Sequence, residues 1–116
     1  MDKNQKPKQF DLEDRTYLFA RNVRDYLKII PRTISTIEYG KQLIRSSGSV
    51  AANYIEANES LSKKDFMLRI KICRKEAKES RLWLRLIDKE DEEKDKLIDE
   101  VNELMKIFGS IVTKSG

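Results

Sequence analysis

Residues 66–87 read FMLRIKICRKEAKESRLWLRLI, and this stretch decides the fold. Its apolar and small residues recur at alternating intervals of four and three positions, which places them on one face of an α-helix. These residues are Phe66, Ile70, Cys73, Ala77, Ser80, Leu84 and Ile87. A stripe that lasts about six turns is typical of a helix that packs in the core of a bundle.

Two neighbouring segments have the same period. The first begins at Asp11, a candidate N-cap, and stops at Pro31, which cannot continue a helix. The last begins in the acidic cluster of residues 90–93, which is favourable beside a helix N-terminus. Its apolar stripe consists of Leu97, Val101, Leu104, Phe108 and Ile111.

Capping motifs mark the starts of the two central helices. Residues 35–38, Ser-Thr-Ile-Glu, form a capping box, and Ile34 and Tyr39 stand where a hydrophobic staple belongs. Residues 62–65, Ser-Lys-Lys-Asp, repeat the box with Leu61 and Phe66 as the staple. These two starts predict a turn close to residues 58–61.

Composition restricts both fold and chemistry. Four Gly and two Pro in 116 residues are too few turns for a β-sandwich or barrel, so the fold class is all-α. The chain has no histidine and one cysteine, which excludes imidazole catalysis, disulfides and thiolate metal clusters. We expect no metal, no cofactor and no small-molecule substrate, and we expect the protein not to be an enzyme.

Together these segments predict an antiparallel up-down four-helix bundle over residues 11–114, oligomeric, with helices at about 12–30, 36–58, 63–88 and 91–113. Residues 1–10 are polar and are expected to form a disordered basic arm. Because no apolar run reaches the length of a signal peptide or membrane span, we expect a cytoplasmic protein without a membrane partner.

Helix two has an unusual centre, the small-residue run of residues 46–52, SSGSVAA. A glycine inside a helix costs about 1 kcal/mol relative to alanine, so Gly48 needs a compensating contact. Close approach of another helix backbone is the simpler explanation. A phosphate-binding loop is the alternative, but the run lacks a preceding strand and the Walker spacing.

Charge is separated along the chain. Residues 63–85 hold nine basic and three acidic side chains, whereas residues 88–103 hold nine acidic and three basic ones. On helix three a basic ridge follows three- and four-residue spacings, about 100° from the core stripe. The basic ridge consists of Lys71, Arg74, Lys78, Arg81 and Arg85.

Two interpretations of the basic ridge remain open. Its cations pair with the acidic residues of helix four or of a neighbouring subunit, or they contact the phosphates of a nucleic acid. Leu82, Trp83 and Leu86 widen the apolar face of the same helix beyond one core stripe. They indicate either a locally broad core or an interface between copies.

The stretch QLIRSSGSVAANYIEA at residues 42–57, followed by SKKDF at 62–66, resembles a known signature. It is similar to the bacterial four-helix-bundle family encoded in 23S rRNA intervening sequences, also called S23 ribosomal proteins. The resemblance implies a bundle that assembles into a ring, typically a homopentamer, with a role at RNA or ribosomes. Related accessory proteins of diversity-generating retroelements bind nucleic acid through basic surfaces.

Several residues that match the signature are polar. Arg45, Asn53 and Glu56 fall near one face of helix two, and Glu79 matches an acidic position of helix three. We expect these four residues to form a buried hydrogen-bonded cluster that sets the register between helices, with a ligand site as the alternative.

The leading functional hypothesis is a non-catalytic, RNA- or ribosome-associated oligomer that binds rRNA or another nucleic acid through the basic ridge. An oligomeric scaffold for a protein partner is the alternative. A third hypothesis takes Glu56, Glu59, Glu76 and Glu79 as the magnesium-binding carboxylates of a nucleoside-triphosphate pyrophosphohydrolase of the MazG kind.

Overall fold

A computed structural model describes residues 11–115, which form four α-helices and no strand. The helices are α1 (Leu12–Ile29), α2 (Ile34–Asn58), α3 (Lys63–Leu86) and α4 (Glu92–Ser115). The all-α prediction is therefore confirmed for this part of the chain. The predicted basic arm, residues 1–10, lies outside it.

The core follows the apolar stripes. On α3, Ile70, Cys73, Ala77, Ser80, Leu84 and the capping residue Ile87 are fully buried, and Phe66 packs against them half-buried. Leu43 and Val50 of α2 and Phe108 of α4 meet this stripe in the same cluster. Burial of these side chains supplies the main driving force of folding, roughly 1.5–3 kcal/mol for each large aliphatic side chain.

The α2–α3 interface is the most extensive of the bundle. Ser46 and Ser80 are both fully buried at its centre, and their hydroxyl oxygens lie 2.8 Å apart. Because both side chains are small, the two helices approach closely, and the two buried hydroxyls form a hydrogen bond with each other. Ser46, the first of the small residues at positions 46–52, therefore lines a helix contact.

Gly48 is not part of that contact, so the predicted close approach of a second backbone is wrong for this residue. A Cβ atom built on Gly48 would meet no atom within 4 Å. The residue is exposed, because it lies on the opposite side of the helix from the buried Ser46 and Val50. The phosphate-loop alternative also fails, since residues 46–52 lie inside the regular α2 helix.

The start of α2 differs from its prediction. Thr33, not Ser35, is the N-cap, and its hydroxyl accepts a hydrogen bond from the Thr36 N–H while the Thr36 hydroxyl accepts one from the Thr33 N–H. The Thr36 hydroxyl also lies 2.8 Å from the Pro31 carbonyl, to which it can donate. This link to the turn starts the helix two residues earlier than Ser35 would. Ile34 is then 87% exposed and forms no staple.

Ser62 is the N-cap of α3, as predicted, and its hydroxyl accepts a hydrogen bond from the Asp65 N–H at 3.1 Å. This bond is one half of the predicted capping box. Its staple does not form, since Leu61 is 99% exposed. A residue that precedes an N-cap packs on the helix only if the incoming chain turns back toward it. The α2–α3 turn directs Leu61 away from the bundle.

The α3–α4 turn is held by polar contacts that the sequence patterns did not predict. The Asp91 carboxylate accepts a hydrogen bond from the Lys94 N–H at 2.7 Å, so Asp91 caps α4. This hydrogen bond, with help from Lys89, lowers the pKa of Asp91. The buried Lys94 ammonium donates to the Ile87 carbonyl at 2.9 Å and ties α4 to the end of α3.

Gly48→Ala should stabilise the protein by about 0.5–1 kcal/mol, because alanine is the better helix former and the Cβ enters open space. Urea unfolding followed by circular dichroism measures this change. Loss of stability in the variant would contradict the exposed position, and would mean that another copy packs its backbone against Gly48.

Asp91→Asn should remove a pH-dependent part of the stability. The folded state lowers the pKa of Asp91 from its ordinary value of 3.8. The ionised carboxylate therefore stabilises the folded protein at pH values above 3.8. This contribution is lost as the pH falls below 3.8 through the lowered pKa of the folded state. Asparagine still caps a helix but does not titrate. Urea unfolding at pH 7 and pH 3 should show a wild-type advantage at pH 7 that shrinks at pH 3. An equal difference at both pH values would contradict the role of the charge.

Candidate nucleic-acid interface

The basic ridge lies on the outer face of α3. Lys71, Arg74, Lys78 and Arg85 are exposed, and Arg81 is half-buried. The core stripe determines this placement, because burial of Cys73, Ala77 and Ser80 turns the residues about 100° away toward solvent. The ridge is therefore a consequence of how α3 is buried.

Lys75 joins the same surface, although the sequence interpretation missed it. Together with Lys71, Arg74 and Lys78 it fills positions i, i+3, i+4 and i+7 of one helix face, spanning about 10 Å at 1.5 Å per residue. These four cations line a shallow groove with Glu79 and Leu82, which we call the basic groove. The four-residue spacing from Lys71 to Lys75 could have identified Lys75 from the sequence, because it places both side chains on one helix face.

Several acidic residues in or just before α4 have partners other than the basic ridge. Glu100 forms two hydrogen bonds with the Arg15 guanidinium of α1, at 2.7 and 3.0 Å. Other carboxylates pair within or just before α4: Glu90 with Lys94, Glu93 with Lys96, and Glu103 with Lys106. Within residues 11–115, none of the five ridge cations forms an ion pair. The predicted pairing between the ridge and helix four is therefore wrong within one subunit.

Two ridge residues do contact α4. The Arg81 guanidinium donates to the Asn102 side-chain oxygen at 2.9 Å. The Nε atom of Arg74 lies 3.9 Å from the position that a Cβ on Gly109 would occupy. Arg81 thus has a neutral partner, Asn102. Arg74 lies beside Gly109, where α4 has no side chain.

The predicted polar cluster is divided between two places. Arg45 lies 3.0 Å from Glu79 and 3.4 Å from the buried Glu76, but its own side chain is 53% exposed. Asn53 instead bonds to Ser49 and accepts from Arg69 at 3.0 Å. The expectation of one buried cluster is wrong, because eight residues separate Arg45 from Asn53, about 12 Å along the helix.

Glu56, the fourth predicted member, is exposed near Glu59 and Asp65 at the α2–α3 turn. The four carboxylates of the pyrophosphohydrolase hypothesis therefore do not converge, since Glu76 and Glu79 lie opposite Arg45 at the other half of α2. Among the described residues, no group of three or more His, Cys, Asp or Glu side chains could hold a metal ion.

The predicted interface residues differ from one another in burial. Leu82 and Leu86 are 45% and 41% exposed beside the basic ridge. Trp83 is half-buried, and its ring stacks on Tyr39 of α2 with centroids 5.8 Å apart. Trp83 therefore widens the core, and the two leucines leave an aliphatic patch on the surface.

No described helix is both long enough and apolar enough to cross a bilayer. No curated protein matches the sequence.

A solved structure has the same fold. The crystal structure of a protein of unknown function from the S23 ribosomal protein family of Bacteroides thetaiotaomicron aligns with a TM-score of 0.74 and 27% sequence identity. The alignment covers 86% of this chain and 96% of that one. The model of the 23S rRNA-intervening sequence protein family matches residues 8–110, which include nearly all of the four helices. The chain therefore belongs to the 23S rRNA-intervening sequence protein family.

Proposed function

We propose that this protein is a non-catalytic, RNA- or ribosome-associated bundle protein that binds nucleic acid through the basic groove and works as an assembly of several copies. The observation that supports this proposal is the set of four exposed cations on two turns of α3, Lys71, Arg74, Lys75 and Lys78. The names of its family and of its solved relative refer to rRNA and the ribosome, which is consistent with that ligand.

The chemistry of the groove fits phosphate. Lysine ammonium and arginine guanidinium groups bind phosphate oxygens through charge-assisted hydrogen bonds. Within the described chain, only Lys75 of the four cations has a carboxylate within 4 Å, that of Glu76 at 3.9 Å. Ordering these side chains on a ligand therefore breaks few existing contacts. The affinity should come from release of counterions and should depend steeply on salt.

The proposed bundle is antiparallel and up-down. The contacts of Arg45 with Glu79 and of Asn53 with Arg69 support this arrangement for α2 and α3, since a later residue of one helix meets an earlier residue of the other. In this arrangement α3 packs against both α2 and α4, and the basic groove lies on its solvent-facing side. Repetition of the basic groove in an assembly would let weak phosphate contacts act together.

A triple variant tests the nucleic-acid proposal. Lys71→Gln with Arg74→Gln and Lys78→Gln removes three cations but keeps good helix formers. The slope of log affinity against log salt should become shallower by about 2.7, at about 0.9 for each lost phosphate contact. Fluorescence anisotropy with a labelled 20-base-pair duplex, as RNA and as DNA, measures the slope for both proteins.

The matched control changes the same charge elsewhere. Arg24→Gln with Lys28→Gln and Lys41→Gln removes three exposed cations of α1 and α2. This control should retain the wild-type slope within about one unit. An equal decrease of the salt slope in both triple variants would indicate that net charge alone attracts the nucleic acid. It would contradict the assignment of the binding site to α3. Absence of binding to either duplex at low salt would refute nucleic-acid binding and favour the scaffold for a protein partner.

Self-association has a separate test. Leu82→Gln with Leu86→Gln should reduce the mass of the assembly, because it makes the exposed aliphatic patch polar without opening the core. Sedimentation velocity measures the mass, and thermal unfolding checks that the subunit remains folded. The matched control, Leu61→Gln with Leu68→Gln, changes two other exposed leucines at the α2–α3 turn. If the variant with Leu82→Gln and Leu86→Gln keeps the mass of the wild-type assembly, the aliphatic patch is not part of the interface between copies.

A further inference from the structure

One edge of α4 runs beside the basic ridge. Asn102 and Gly109, which contact Arg81 and Arg74, lie seven residues apart and therefore on one face of the helix. Asp95 lies a further seven residues before Asn102, so it continues the same edge. Asp99 lies one turn after Asp95 and close to this edge.

The register relates this edge to the ridge. Moving seven residues forward on α3, from Arg74 to Arg81, moves seven residues back on α4, from Gly109 to Asn102. Arg85 is four residues beyond Arg81 and is therefore level with residue 98, between Asp95 and Asp99. The acidic end of α4 thus lies beside the C-terminal end of the basic ridge.

Charge changes along the edge. Asp95 and Asp99 are exposed, and neither side chain forms an ion pair within the described chain. Toward the other end, the edge carries the neutral Asn102 and Gly109 beside Arg81 and Arg74. A polyanion therefore meets repulsion from α4 near Arg85, whereas the edge of α4 near Arg74 carries no charge.

We infer that Asp95 and Asp99 confine the polyanion site to the N-terminal half of α3, so that the basic groove, and not the whole ridge, contacts phosphodiester backbone. This inference rests on the proposed function. Arg81 is already engaged by Asn102, and Arg85 is level with the two carboxylates in the register of α3 and α4. The repulsion is local, because charges are screened over about 8 Å at physiological salt. Lys71 lies about 21 Å from Arg85 along the helix, beyond that range.

Confinement of the polyanion to the basic groove predicts how many phosphates the protein contacts. Four groove cations correspond to a salt slope of about −3.6 for duplex DNA, whereas the groove together with Arg81 and Arg85 would give about −5.4. The ligand would then cross α3 near Arg74 and Gly109 without running toward the α3–α4 turn. Recognition of this kind reads the backbone and not the base sequence.

Neutralising the two carboxylates tests the inference. Asp95→Asn with Asp99→Asn should tighten binding of the labelled 20-base-pair duplex by about 2- to 5-fold at low salt and steepen the slope by about 0.9 as Arg85 joins the site. The matched control, Glu13→Gln with Glu38→Gln, makes the same change of net charge at exposed positions of α1 and α2. It should change affinity by less than about 2-fold, because those positions lie on helices other than α3 and α4 and alter only the net charge.

A third variant tests whether Arg85 is the cation that joins the polyanion site. Adding Arg85→Gln to Asp95→Asn with Asp99→Asn should return the slope to the wild-type value, while Arg85→Gln alone should leave wild-type binding nearly unchanged. Equal tightening in the α4 variant and its control would overturn the inference while leaving the proposed function intact. Loss of wild-type affinity in Arg85→Gln alone would also overturn it. Failure of every variant to bind the duplex would refute the proposed function and the inference with it.

Discussion

The close packing of α2 on α3 is the constraint on which the rest of the structure depends. The buried hydroxyls of Ser46 and Ser80, 2.8 Å apart, join the centre of α2 to the C-terminal half of α3. This contact fixes the rotation of α3 about its own axis. Once Cys73, Ala77 and Ser80 face inward, Lys71, Arg74 and Lys78 have only the outer face to occupy. Core packing alone therefore determines where the charged surface lies.

The position of α4 along α3 depends on a different kind of contact. Lys94 is buried and donates to the last turn of α3 through the Ile87 carbonyl, which anchors the start of α4. Asp91 caps the same end, and the Arg81–Asn102 hydrogen bond holds the helices at their middle. These contacts set a register in which Gly109 lies beside Arg74, and Arg85 is level with residue 98, between Asp95 and Asp99. The edge of α4 along the ridge is therefore neutral at one end and acidic at the other.

Pairing of opposite charges is a weak guide to helix contacts in so charged a protein. Exposed ion pairs contribute about 0–1 kcal/mol, so they follow the packing and do not direct it. Glu93 and Glu103 have lysines three residues away on their own helix, and Glu100 meets Arg15 of α1. A partner three residues away on the same helix needs no contact between helices. Core packing turns the basic ridge toward solvent, and these carboxylates already pair elsewhere.

Much of the fold and part of the site were predictable. Helix class, the core stripe of α3, the Ser62 cap and the exposed cations of the ridge follow from spacing and composition, because these are local properties of a helix. Other features did not follow: the Thr33 cap, the exposed Gly48 and Leu61, the separation of Arg45 from Asn53, and the lack of ion pairs between the ridge and α4 in the described chain. Periodicity shows which residues share a face, but not which neighbour that face meets or at what height. Those choices belong to tertiary structure, because they depend on how whole helices rotate and slide to bury their apolar surface together.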